Sequence, residues 1–154
     1  MRERGYTFIE IAIVSAIIAI LASVALPFAK VTMQRNREIE LRRALREIHT
    51  AIDKYKDAVD QKQITESALD GNTDGYPPTL QTLVDGVAAA NDTTGKKLKF
   101  LRRIPTDPMT KSQEWGMRSS RDLPDSKVWG GQNVFAVYTK YDGTALDGTN
   151  YRDW

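Results

Sequence analysis

The sequence predicts an α+β protein: a long N-terminal α-helix over about residues 6–61, packed on a small C-terminal domain that holds a short helix and an antiparallel β-sheet. Three observations predict it. From Ile11 to Ala29 the chain runs 19 residues without a charge. Apolar residues then continue at helical spacing as far as Val59. After Pro108 the composition turns to Trp, Val, Phe, Tyr and Thr set between Gly, Asp and Pro, which is strand and turn chemistry.

At ~1.5 Å per residue the charge-free run reaches ~28 Å, the thickness of a bilayer's hydrocarbon core. Arg2 and Arg4 before it, with Ser23-Val-Ala25 as small residues near its end, also resemble a cleaved secretory signal. The apolar part of such a signal is usually only ~7 to 15 residues, shorter than this run, so a spanning helix is the better reading. Arg2 and Arg4 favour a cytoplasmic N-terminus, while Arg35, Arg37, Arg42 and Arg43 lie on the other flank, so charge alone does not settle orientation. Pro27 removes a backbone donor and clashes with the carbonyl of Ser23, which predicts a bend or a loosened turn. Glu10 is the anomaly. A carboxylate in a membrane helix costs about 2.5 to 3.5 kcal/mol on insertion scales, so it implies either a partner or a place at the headgroup boundary.

Beyond the membrane run, Leu41, Leu45, Ile48, Ile52, Tyr55 and Val59 are spaced by four and three, one stripe along a continuing helix. The pattern ends too soon for a generic coiled coil, and docking against the chain's own C-terminal half is the alternative preferred here. Asp70-Gly-Asn-Thr-Asp-Gly75 with Pro77-Pro78 is a turn cluster that closes the helical region. Thr79 is placed to cap a short helix carrying Leu80, Leu83, Val84 and Val87. Val134-Phe-Ala-Val-Tyr-Thr139 reads as a strand.

With 154 residues the chain holds one domain and an appendage, and its 22 basic and 20 acidic residues leave a net charge of only +2, no footprint for nucleic acid. The absence of cysteine excludes disulfides and thiolate chemistry, and with His49 as the one histidine no Ser-His-Asp or Cys-His scheme has its parts, so the chain reads as a non-enzyme. Any metal site must be built largely from oxygens, which favours calcium or magnesium. Asp142, Asp147 and Asp153, interleaved with Gly143, Thr144 and Gly148, are candidate calcium ligands; a solvated acidic loop is the plain alternative. Asp70–Gly75 fits the first half of an EF-hand loop, but position twelve is Gln81 where a glutamate is wanted, and turn chemistry is preferred there. Trp115, Trp129 and Trp154 read as core or rim packing rather than a binding face.

The order of features near the start carries a resemblance: a basic leader ending in Gly5, aromatic Tyr6, Glu10 as the fifth residue after a cut at Gly5, and an apolar run interrupted by Pro27. This resembles the N-terminal signature of type IV prepilins and type II secretion pseudopilins, with Tyr6 where phenylalanine is usual and Phe8 where leucine is usual. Gly75–Val84 and Leu101–Pro108 look like segments of the major pseudopilin of type II secretion, although that family's Trp-Gly pair is displaced here to Trp115-Gly116 and the segment from Met117 to Gly131 is long.

The resemblance implies a pilin-like fold, cleavage of residues 1–5 by a prepilin peptidase, and methylation of the new N-terminus at Tyr6. Residues 6–29 would then be the transmembrane and filament-core half of the helix, and residues 30–154 a periplasmic domain. The protein would sit in the bacterial inner membrane with a single pass, polymerise into a pseudopilus, and meet minor pseudopilins and an inner-membrane assembly platform. It also implies that Glu10 faces the Tyr6 amino group of a neighbouring subunit, that Pro27 gives the packed helix a place to stretch, and that a C-terminal loop binds calcium. The other readings are an adhesive or motility pilin and, from another class, a membrane-anchored periplasmic binding domain that never polymerises.

Overall fold

The computed structural model describes residues 6–65, 74–90 and 95–154. The leader with Gly5 and most of the Asp70–Gly75 turn cluster lie outside these residues. The element order is α1 (Phe8–Asp60), α2 (Leu80–Asp85), β1 (Val87–Ala88), β2 (Lys97–Leu98), β3 (Gly116–Arg118), β4 (Ala136–Tyr138) and a closing 3-10 turn at Tyr151–Asp153. The chain divides into two compact units, one ending at Asn36 and one running from Arg37 to Trp154.

In the first unit α1 is apolar on every side, and Ile11, Ile13, Ile17, Ile18, Ile20 and Leu21 are all exposed. So much apolar surface is unfavourable in water and calls for lipid or protein around it. The helix is long and apolar enough to cross a membrane.

In the second unit one face of α1 is the floor of the core. Leu41, Leu45, Ile48, Ile52 and Tyr55 are buried as the spacing predicts, Val59 packs at the edge, and Ala44, Ala51 and Ala58 widen the same face. Tyr55 meets Phe100 edge to face at 5.3 Å between centroids. Its hydroxyl is buried with no hydrogen-bond partner among the described residues, and burial pushes the phenol above its ordinary 10.0.

Thr79 caps α2 as its sequence suggests, its Oγ1 accepting from the Thr82 amide at 3.3 Å. Leu80 and Leu83 enter the core, and the Leu83 carbonyl accepts from the amides of both Phe100 and Leu101 at 2.9 Å. Gly86 ends α2 at φ 78°, and a Cβ there would lie 2.7 Å from the Leu98 carbonyl oxygen, so two constraints require glycine.

The strand chemistry yields two short ladders rather than one sheet: β1 pairs antiparallel with β2, and β3 with β4 in the register Gly116–Tyr138, Met117–Val137, Arg118–Ala136. The strand predicted over Val134–Thr139 is regular only at Ala136–Tyr138. Val134 and Thr139 flank it and are buried. Gly116 is bare because the Tyr138 ring lies across it, 2.3 Å from where a Cβ would stand, and Arg118 stacks on the same ring at 4.3 Å.

Buried polar groups lock the loops. Asp107, with no exposed surface, accepts from the Met109 amide at 2.8 Å and from the Thr139 hydroxyl, tying the Ile104–Pro108 segment to the end of β4. His49 Nε2 accepts the Val137 amide at 3.3 Å, so the one histidine is a rivet that docks β4 on α1. Trp115 Nε1 donates to the Pro105 carbonyl at 3.0 Å and Trp129 Nε1 to that of Asn133 at 2.8 Å, which makes both packing residues. Asp74 accepts from Arg121 Nε and Nη2 at 3.2 Å, from Ser120 Oγ at 2.7 Å and from Asn133 Nδ2 at 3.3 Å.

Two outcomes follow for stability. Ile52→Ala, which hollows the face on which both ladders sit, is expected to lose about 2 to 5 kcal/mol in urea denaturation of the full chain in detergent micelles. The bonds from Arg121, then Ser120, hold the Asp74 carboxyl below its ordinary 3.8. A depressed folded value means that this group stabilises the fold above the unfolded pKa and that the contribution is lost as pH falls through the folded one. Arg121→Ala should therefore move the Asp74 titration, followed by carboxyl NMR shifts, back up toward 3.8.

Candidate functional site

The chain singles out two places, the start of α1 and the C-terminal loop. At the first, Thr7 is the N-cap: its carbonyl accepts from the amides of Glu10 at 3.1 Å and Ile11 at 3.2 Å, and its Oγ1 reaches the Glu10 amide at 3.3 Å. Glu10 is thus the third residue of a Thr-x-x-Glu start, where a carboxylate meets the positive end of the helix dipole. Thr7-Phe-Ile-Glu10 is the local sequence signal of this cap. Tyr6, Phe8 and Ile9 beside it are exposed, and so is Glu10. The first turn therefore offers a carboxylate and a collar of apolar side chains to whatever surrounds the helix.

Pro27 sits inside α1, which stays helical on both sides of it. Two hydroxyls bond back to carbonyls nearby, Ser23 Oγ to Ile20 at 2.7 Å and Thr32 Oγ1 to Phe28 at 3.0 Å. Back-bonding hydroxyls of this kind slightly destabilise a helix, so Ser23 and Thr32 flank Pro27 with two further weak points in the ladder.

At the other end, Asp142, Asp147 and Asp153 do not converge. Asp147 Oδ1 accepts from the Thr149 amide at 3.0 Å and from its hydroxyl at 2.6 Å, while Oδ2 accepts from Arg42 Nη2 at 3.1 Å. These contacts, the Thr149 hydroxyl first, hold its carboxyl below 3.8. Asp142 Oδ1 lies 3.9 Å from Arg152 Nε, and Asp153 stands in the closing 3-10 turn. Among the described residues no three His, Cys, Asp or Glu side chains gather as a metal site, so the donor set as placed does not fit a calcium ion.

A capped, carboxylate-bearing helix that then runs long and apolar enough to cross a membrane, ahead of a short helix and small antiparallel ladders, is an α+β layout consistent with a pilin-like protein. Comparison of the sequence agrees: residues 1–26 match the prokaryotic N-terminal methylation motif. That motif indicates a type IV pilin-like structural subunit rather than an enzyme, and implies processing by a prepilin peptidase and pilus-like polymerisation. No curated protein and no solved structure matches the chain.

Mass spectrometry of the membrane-extracted protein is expected to show loss of Met1–Gly5 and a single added methyl group on the amino group of Tyr6. An intact leader would contradict the processing.

Proposed function

We propose that the chain is a structural subunit of a type II secretion pseudopilus, held in the inner membrane by the first half of α1 with residues 30–154 in the periplasm, and drawn into a filament that drives protein secretion. The observation that carries this reading is Glu10 in the capped first turn of a helix that is otherwise charge-free as far as Ala29, within the matched motif. Cleavage after Gly5 creates a cation at Tyr6, and in a staggered stack of identical helices that cation faces Glu10 of a neighbour. Two opposite charges in a low-dielectric filament core offset each other's desolvation, whereas a slipped register leaves one bare. The pair therefore sets register more than it adds affinity. The partners are other copies of the chain, minor pseudopilins and an inner-membrane platform.

Secretion is preferred over an adhesive or motility pilus because Gly75–Val84 and Leu101–Pro108 resemble the major pseudopilin. The second of these is the segment whose Asp107 and Pro105 fasten Thr139 and Trp115. Deleting the gene should leave exported proteins trapped in the periplasm while surface pili persist; lost adhesion or motility with intact secretion would favour the pilus.

Glu10→Ala is expected to leave membrane insertion and leader removal unchanged while filaments, scored by shearing and immunoblotting, fall at least tenfold. Wild-type filament yield in that variant would overturn the register argument.

A further inference from the structure

The C-terminal segment from Gly143 to Trp154 is fastened to α1 by Glu38 and Arg42, which stand one helical turn apart on the same side. Glu38 is only 9% exposed, and its Oε1 accepts from the Leu146 amide at 2.9 Å and from the Tyr151 hydroxyl at 2.8 Å. Arg42 donates to Asp147 Oδ2 at 3.1 Å, and its guanidinium carbon lies 3.9 Å from the centroid of the Trp154 ring. Trp154 Nε1 in turn donates to Thr149 Oγ1 at 2.7 Å, and that hydroxyl donates to Asp147 Oδ1 at 2.6 Å. Arg42, Asp147, Thr149 and Trp154 thus form a closed circuit around one positive charge.

We propose that Arg42 is the resident cation of this loop: its guanidinium balances Asp147 where a divalent ion would otherwise be needed, and with Glu38 it makes a latch for the C-terminus that works without metal. The main-chain oxygens that calcium would recruit are also engaged. Gly143 accepts from the Tyr151 amide at 3.1 Å, Ala145 from Gly148 at 3.0 Å, Thr149 from Ala145 at 2.8 Å and Asn150 from Asp153 at 3.1 Å. A bridge between Thr144 and Asn150 closes the loop's neck. An exposed Arg–Asp pair alone contributes little, but here the same guanidinium stacks on an indole that is itself hydrogen-bonded into the loop, so the contacts reinforce one another. The latch uses only residues of the second unit and holds whether the filament serves secretion or adhesion.

The test is thermal melting of the full chain in detergent micelles, in EDTA and in millimolar calcium chloride, for wild type, Arg42→Met, Asp147→Asn and the double variant. Wild type should melt at the same temperature in both solutions. Arg42→Met should melt several degrees lower in EDTA, and adding Asp147→Asn to it should cost much less than Asp147→Asn costs alone, because the two act through one circuit. A wild-type midpoint that falls in EDTA and returns with calcium would overturn the proposal, as would an Arg42→Met protein as stable in EDTA as wild type. The wild-type comparison decides even if a variant does not fold.

Discussion

The second unit depends on one constraint: among its described residues, no element except α1 is long enough to stand alone. Strands of two or three residues do not persist as isolated ladders, and a six-residue helix lies well below the length at which helices hold in water. Burial against the face from Leu41 to Ala58 is what makes them structure at all. Each dependent element is also fixed there or to its neighbour by a polar contact: β4 by His49, the Ile104–Pro108 segment by Asp107, and the C-terminus by Glu38. The apolar face supplies the driving force and the buried polar groups select one arrangement.

That division explains what could be read from the chain. The stripe on α1 was legible because helical periodicity is a local property. So was the Thr79 cap, since the capping residue and the amide it serves are three positions apart. The strands were legible as composition but not as topology, because nothing local states that Arg118 will face Ala136 or that β1 and β2 will form a ladder of their own. The polar rivets were not legible: Glu38 and Tyr151 lie 113 positions apart, Arg42 and Asp147 lie 105, and His49 and Val137 lie 88. Taken one by one, Glu38 and Arg42 look like ordinary surface charges and Tyr151 like a loop residue. Asp147 shows the same limit, since the spacing of Asp142, Asp147 and Asp153 says nothing of the guanidinium that reaches Asp147 from α1.

At the other end the sequence was more informative than the fold. Gly5, Tyr6 and Glu10 fall within the matched N-terminal methylation motif, and such a motif is legible in order along the chain rather than in contacts within the fold. The structure adds that Glu10 begins the helix in a favourable position, third after the Thr7 cap. The carboxylate is therefore favoured by the helix terminus in the free subunit, which lowers the cost of carrying it before it meets the partner that the proposed filament would supply.

This bears on how such a helix leaves a membrane. Transfer of an apolar helix from lipid to a core of other apolar helices gains little hydrophobic free energy, because hydrocarbon chains are as apolar as the isoleucines that replace them. In the proposed filament the gain must come from packing and from the one charge that finds its counterpart. Register then depends on a residue whose insertion cost is measured in a few kcal/mol, comparable to what a matched pair recovers. Near neutrality suits a subunit that has to be stored in lipid and later drawn out: a helix strongly favouring either environment would fail at one of the two steps. In the proposed filament the stretch from Ser23 through Pro27 to Thr32 would serve the same end, because a proline inside a helix is a place where its ladder can loosen and the apolar half adapt its length.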